Sequence, residues 1–388
     1  MKRALLFFAV FAFIIHSCKN NDTKKGEPTA AEADSVNYYA QYTGTIGNIP
    51  VTLNLVKFGE GYSINYVAAD KGSIVELRYQ KDSLLKNDSL FFTAPGDLRR
   101  GLYGPENEIH FHLLLNAATI TGSRISGDKK TNLPVLLKRD NHSIDFGPLV
   151  YIDSLRSDGF KKDTPTAHVS LVVLHPSGAA SGGNWFNSVI KKEVLEELVT
   201  DSATTLQNSI VHYGKNFLQD FNDDIDTLKA SNSGNDPVPY SLMHYNQQVH
   251  SNLVHNNNGY AVMSVSKYMY TGGAHGMFTQ RFLCFDIPQK KALRLSDVLV
   301  MDSTQLESIL EKQLREQYNI PADKPLTELL FDNRIALTQN FYFTSKGIGF
   351  LYQPYEIAAY AVGPINIWLP YTGLKPYLTP GFIQRMGI

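Results

Sequence analysis

Cysteine is almost missing from this chain of 388 residues: there are two, Cys18 and Cys284. A disulfide framework is therefore excluded, and the fold must rest on hydrophobic cores. An excess of either charge is missing too, with 36 basic residues against 37 acidic ones. No basic run stands out, which removes nucleic acid as an expected partner. Beyond the first residues no apolar run approaches the length that spans a bilayer. The Gly-Lys-Ser/Thr ending of a phosphate loop is missing. The small-residue loop Ser177-Gly178-Ala179-Ala180-Ser181-Gly182-Gly183 does not spell Gly-x-Ser-x-Gly, so serine-hydrolase chemistry has no motif here. Nothing in the sequence calls for a cofactor.

The N-terminus carries the clearest address. Lys2 and Arg3 precede an apolar run from Ala4 to Ile15, and Ile15-His16-Ser17-Cys18 follows. The run has the length and flanks of an export signal. An aliphatic residue, a small residue and then cysteine resemble a bacterial lipoprotein signal. That resemblance implies cleavage after Ser17, lipidation of Cys18, and a membrane partner engaged through acyl chains. The alternatives are secretory cleavage without a lipid, or a short membrane anchor. Residues 18–36 are polar and cannot bury enough surface to offset ordering, so they are expected to form a flexible tether. Cys284, in Phe282-Leu283-Cys284-Phe285, is expected in a core.

Residues 37–140 read as a small all-β domain. Val51, Leu53 and Leu55 alternate with Thr52 and Asn54, the period of a half-buried strand. Further strands are expected at 62–67, 74–79, 89–93, 109–115 and 135–138, a meander closing as a barrel or a sandwich. His110 and His112 share a strand face but lack a third ligand. Residues 141–166 read as a polar stretch containing a boundary near 158–163. A strand at 167–175 leads to two helices, one from Trp185 to Val199 with Asn184 as cap, one carrying Leu206, Ile210, Tyr213, Phe217 and Phe221. The carboxylates of 220–226 lack the glycine and terminal glutamate of a calcium loop and read as a solvated helix end.

Residues 240–254 and 259–270 are expected to pair through Asn258-Gly259, a strong hairpin signal. His244, His250 and His255 have neither the spacing nor the glutamate of a helical zinc motif, and no metal site is expected. After a returning strand at 277–287, Thr304 and Glu307 have capping-box spacing ahead of a helix. Residues 341–352 read as a hairpin, 365–371 as the last strand and 374–378 as the last helical turn. The fold class is α+β, an all-β meander followed by α/β-layered domains at 141–260 and 261–388.

Within that frame, residues 165–388 resemble an extracytoplasmic domain pair of unknown function. The pair occurs in the anti-sigma factor RsiV and in the N-terminal part of the polysaccharide deacetylase PdaC. The matching residues are Tyr268 to Gly276, Leu293 to Leu299, Phe343 to Phe350, Pro354 to Gly363 and Ile367 to Tyr371. The resemblance implies an external, membrane-associated fold. RsiV-type proteins bind lysozyme through these domains, while the deacetylase keeps its chemistry in a separate domain.

The candidate ligand-binding residues are therefore Tyr270, Thr271, Gly272, Gly273, His275 and Gly276 in one block, and Tyr355 and Glu356 in the other. Three readings follow. The first is a non-catalytic envelope lipoprotein binding a cell-wall glycan or a wall-degrading enzyme such as lysozyme. The second is a glycan hydrolase or deacetylase using His275 and Glu356 as an acid/base pair. The third is a purely structural envelope protein, with the Gly-rich tip serving as a turn and Glu356 bonding backbone amides.

Overall fold

The structure, a computed structural model, describes residues 37–69, 72, 74–80, 89–95, 108–141, 143–157, 164–177, 184–196, 204–231 and 243–388. The expected signal peptide, Cys18 and the expected tether fall outside these residues. So do the expected boundary at 158–163, the loop from Gly178 to Gly183 and the end of the first expected helix. No helix among the described residues is long and apolar enough to cross a membrane.

Eight antiparallel strands in sequence order close a barrel: β1 (Tyr38–Ile46), β2 (Ile49–Phe58), β3 (Gly61–Ala68), β4 (Ile74–Gln80), β5 (Ser89–Ala94), β6 (Ile109–Leu115), β7 (Thr119–Ile125) and β8 (Asn132–Arg139). The meander is thus a barrel and not a sandwich. Alternation dictates its inside: Tyr42 pairs Leu53, Leu55 pairs Ile64 and Phe92 pairs Phe111, all buried together. Two strands escaped the pattern, β1 and β7. In β7 the sequence Thr-Ile-Thr-Gly-Ser-Arg-Ile offers one fully buried apolar residue, Ile120.

A six-stranded sheet follows, with β9 (Phe146–Arg156), β10 (Thr166–Pro176), β11 (His244–Asn257), β12 (Tyr260–Tyr270), β13 (Met277–Asp286) and β14 (Lys291–Ala292) in reverse spatial order. β9 lies inside the stretch read as polar linker; it is an edge strand, and Pro148 and Asp153 disguise it. Only β10 and β11 run parallel, and α1 (Asn184–Glu193) and α2 (Leu206–Ser231) make their crossover. Asn184 is the first helical residue and not a preceding cap. Phe186, Ile190, Phe217, Phe221 and Ile225 pack with Val169, Leu171 and Val173 on one face of the sheet. The carboxylates at 220–226 sit within α2, on its exposed side, and not at a helix end. Asn258 and Gly259 take φ of 54° and 74°, the left-handed pair that a two-residue hairpin requires. Residue 260, where a domain boundary was expected, begins the return arm of this hairpin.

Against the other face packs a C-terminal layer containing α3 (Ser303–Tyr318) and the three strands β15 (Phe341–Phe343), β16 (Gly347–Tyr352) and β17 (Ile365–Pro370). It shares a core with Tyr260, Val262, Phe282 and Cys284. Cys284 is buried and its thiol pKa is pushed up by that burial, so it is an inert core residue. The cap of α3 is Asp302, whose carboxylate accepts from the Thr304 and Gln305 amides; the box expected at Thr304 starts two residues late. The final turn extends beyond expectation, through α4 (Tyr371–Leu374) to α5 (Pro380–Met386). Arg385 anchors α5 by pairing with the buried Asp286, bonding Asn258 O at 2.7 Å and lying over the Tyr260 ring.

The barrel docks on the sheet through the outward side of β1, β2 and β3. Gln41, Asn54 and Asn65 form a row there across the strands. Asn54 accepts from Tyr39 and donates to Asn65, which donates to Leu253 O at 3.0 Å. His255, beside this junction, is buried, and desolvation holds its pKa down to about 4. Neutral His255 therefore favours the fold above the ordinary histidine pKa near 6.5, and that contribution is lost as pH falls toward 4. His250 is also held down to about 4 by desolvation, so urea unfolding should show a loss between pH 7 and pH 5 that His255→Phe reduces by roughly 2 kcal/mol, leaving the His250 share. An equal loss in the variant would contradict the assignment.

Candidate functional site

The tip between β12 and β13 is built by short-range constraints. Gly272 and Gly273 take φ of 102° and 90°, a region that side chains avoid. Tyr270 OH donates to Gly273 O at 2.9 Å and ties the bend. Gly276 lies close under the Tyr268 ring: a Cβ there would stand 2.4 Å from Tyr268 Oη and would push that ring aside. His275 is thereby held on the surface, with Nδ1 3.0 Å from Gly276 O.

The second block comes to the same place. The Tyr360 ring stacks on His275 with centroids 4.5 Å apart and planes at 20°. Tyr360 OH donates to Gly276 O at 3.2 Å. Tyr355 continues the surface 5.3 Å beyond Tyr360, is 53% exposed, and has φ of 69°. A non-glycine residue in that conformation is uncommon. The result is a ledge of three rings, His275, Tyr360 and Tyr355, and the exposed Met269 and Met277 pair with each other where β12 and β13 enter the tip. Burial, with Tyr360 and Tyr270 as neighbours, raises the Tyr268 phenol above its usual range and keeps it neutral.

Two side-chain amides hold the blocks together. β13 pairs with β12 on one side, but β14 covers only Phe285 and Asp286 on the other. Farther along that edge Asn340 accepts from Phe282 N at 2.9 Å and donates to Gln280 O at 2.8 Å. Gln353 accepts from Gln280 N at 3.0 Å and donates to Gln280 O. Glu356 then accepts from Gln353 N at 2.7 Å, closing the turn that carries Tyr355. Among the described contacts no bond joins His275 to Glu356; Nδ1 of the one and one carboxylate oxygen of the other bond neighbouring backbone.

All eight candidate ligand-binding residues thus fall on the tip or on the turn docked beside it. Tyr360 completes the ledge, and the sequence reading did not single it out as ligand-binding. Tyr360 was visible only as an aromatic residue in the second block; nothing in the sequence pairs it with His275. The other histidines do not converge. His244 bonds Thr166 at 2.9 Å, His250 bonds Ser170 at 2.9 Å, and His110 and His112 lie against Phe91. No group of three metal-ligating side chains stands among the described residues.

Residues 184–278 match the family model described as deacetylase PdaC, and residues 296–372 match that of a protein of unknown function, DUF3298. The chain carries this domain pair. The PdaC-like segment ends just past the tip and the DUF3298 segment contains Tyr355 and Tyr360, so the His275–Tyr360 stack joins the two. A crystal structure of a DUF3298 family member from Bacteroides fragilis is similar over 64% of this chain and 99% of its own, at 20% identity and a TM-score of 0.54. A DUF3298 family protein from Pseudomonas aeruginosa matches over 62% of this chain and 96% of its own, at 18% identity and a TM-score of 0.41. The first likeness supports the fold. No curated protein matches the chain significantly.

Proposed function

We propose that this PdaC/DUF3298 protein is a non-catalytic binding protein of the cell envelope, and that its aromatic ledge takes a cell-wall glycan. The carrying observation is the surface cluster of His275 stacked on the half-buried Tyr360, with the exposed Tyr355 tilted beside it. Flat rings with polar edges suit the apolar faces and hydroxyl rims of sugar rings. Their geometry is set in advance by Gln353, Glu356 and Gly276, which lowers the ordering cost of binding. The hydrolase or deacetylase reading receives less support. A general acid/base pair needs mutual hydrogen-bond reach or a shared substrate position, whereas Glu356 closes a turn and His275 is a stacking ring.

A second reading, a wall-degrading enzyme such as lysozyme as the partner, is favoured by Met269 and Met277, 48% and 41% exposed and paired with each other where β12 and β13 enter the tip. Flexible, polarisable methionines suit protein interfaces. Co-sedimentation with insoluble peptidoglycan and capture on immobilised lysozyme separate the two. Retention on peptidoglycan is expected, with Tyr355→Ala plus Tyr360→Ala weakening it at least about tenfold, the loss of roughly 1.4 kcal/mol. Capture by lysozyme alone would move the proposal to the second reading, and retention by neither would remove both.

The proposal places the protein on a membrane surface through a lipid at Cys18. Metabolic labelling with palmitate should mark the protein and Cys18→Ser should abolish the label. Equal labelling of the variant would remove the anchor.

A further inference from the structure

One face of the six-stranded sheet lies under α1 and α2, where Val169, Leu171 and Val249 are buried. Alternation turns their neighbours to the opposite face. Register then sets Ile152, Ser170, Gln248 and Tyr268 in one row across β9, β10, β11 and β12 on that face. His168 and Asn246 pair in the row beside it, farther from the barrel.

The barrel reaches this face one row away. There Phe58, at the turn from β2 to β3, meets His250 with ring centroids 5.1 Å apart, and Glu76 accepts from Gln280 at 2.6 Å. The two rows beyond are less covered. Ser170, Gln248, Tyr268, His168 and Asn246 are half-buried, and Ile152 at the sheet edge is 54% exposed. The barrel turn thus stands as a wall beside an open floor.

Tyr268 joins this floor to the aromatic ledge. A Cβ on Gly276 would meet Tyr268 Oη, and the same Gly276 accepts from Tyr360 OH through its carbonyl. From Tyr268 to Ile152 the row crosses four strands, a span of roughly 14 Å at the usual strand spacing. That is longer than a single pyranose ring.

The floor offers hydroxyls, amides and an imidazole. Ser170 bonds His250 at 2.9 Å and Gln248 donates to Asn246 at 3.3 Å. Gln248 Oε1 and Asn246 Nδ2 have no protein partner among the described residues, which leaves one acceptor and one donor on the surface. Burial lowers the His168 pKa, so that ring is neutral at neutral pH. None of the six side chains carries charge there. A charged ligand meets no counter-charge on this floor, whereas a neutral polyol or acetamide finds both donors and acceptors.

We infer that the sheet face continues the ledge as further subsites, and that the ligand is a linear, neutral polysaccharide strand lying across β12, β11 and β10 toward Ile152. This extension presupposes the ledge as a glycan site.

Calorimetric titration of the full-length protein with the dimer and the hexamer of N-acetylglucosamine tests it. The hexamer is expected to bind at least about tenfold tighter than the dimer, beyond what its larger number of registers supplies. Gln248→Ala should remove most of that advantage and leave the dimer affinity unchanged, which also shows that the variant is folded. His168→Ala should act in the same direction, and Tyr355→Ala should weaken both oligomers. Equal affinities for dimer and hexamer would overturn the extension and leave the ledge reading standing. So would a hexamer advantage that survives both Gln248→Ala and His168→Ala. Binding of neither oligomer would overturn it too, and retention on peptidoglycan then decides whether the ledge reading survives.

Discussion

Two side-chain amides standing in for a missing strand set the geometry of the candidate site. β14 is two residues long and leaves the far edge of β13 without a partner strand. An open edge of that kind invites pairing with another chain. Here Asn340 and Gln353 satisfy Gln280 and Phe282 one group at a time. Since Gln353 is also the residue whose amide Glu356 caps, edge protection and site assembly are the same act. The turn carrying Tyr355 and Tyr360 cannot leave the His275 tip without exposing the edge. Glu356 is then a positioning residue, which explains a carboxylate between two tyrosines without invoking proton transfer.

The junction with the barrel follows a related logic. A closed barrel normally faces solvent on its outside, yet β1 to β3 present Tyr39, Gln41, Asn54 and Asn65 to the sheet. Buried amides are costly unless paired, and these pair with one another, with Leu253 O and with Asn256. Such a row fixes register in a way that interchangeable apolar contacts do not, because a slip would orphan several groups at once. A β-bulge at Val254, between the pairs Leu253–Met263 and His255–Val262, belongs to this junction as well, since it turns His255 toward Phe343.

Much of this architecture was legible in the sequence, for identifiable reasons. Strict alternation in β2, the Asn258-Gly259 turn and the helical stripe of α2 each report a local period, and local periods survive in one chain read alone. β7 was hidden because its outward residues are as polar as a linker's, and β9 because Gly147-Pro148 and Asp153-Ser154 bracket its short apolar run Leu149 to Ile152. The cap of α3 was misplaced by two residues, since Asp302 and Thr304 both have capping chemistry and only the backbone decides between them. The candidate residues were legible as types: three glycines around a histidine, and a glutamate among tyrosines. Their meeting was not legible. Tyr360 reaches Gly276 across 84 residues of sequence, through a docking made by Asn340 and Gln353, which no motif marks. The bulge at Val254 was invisible for the same reason, because β11 reads as an ordinary strand.

The account rests on the ledge being a preformed binding surface for a sugar ring. The most direct measurement is a crystal structure of the protein with a soluble peptidoglycan tetrasaccharide. It should show a pyranose ring lying flat on Tyr355 or Tyr360, with His275, Gln353 and Glu356 unmoved. A tetrasaccharide bound with Glu356 released from Gln353 N and turned onto a glycosidic or amide bond would contradict it, as would a ledge left bare at saturating sugar.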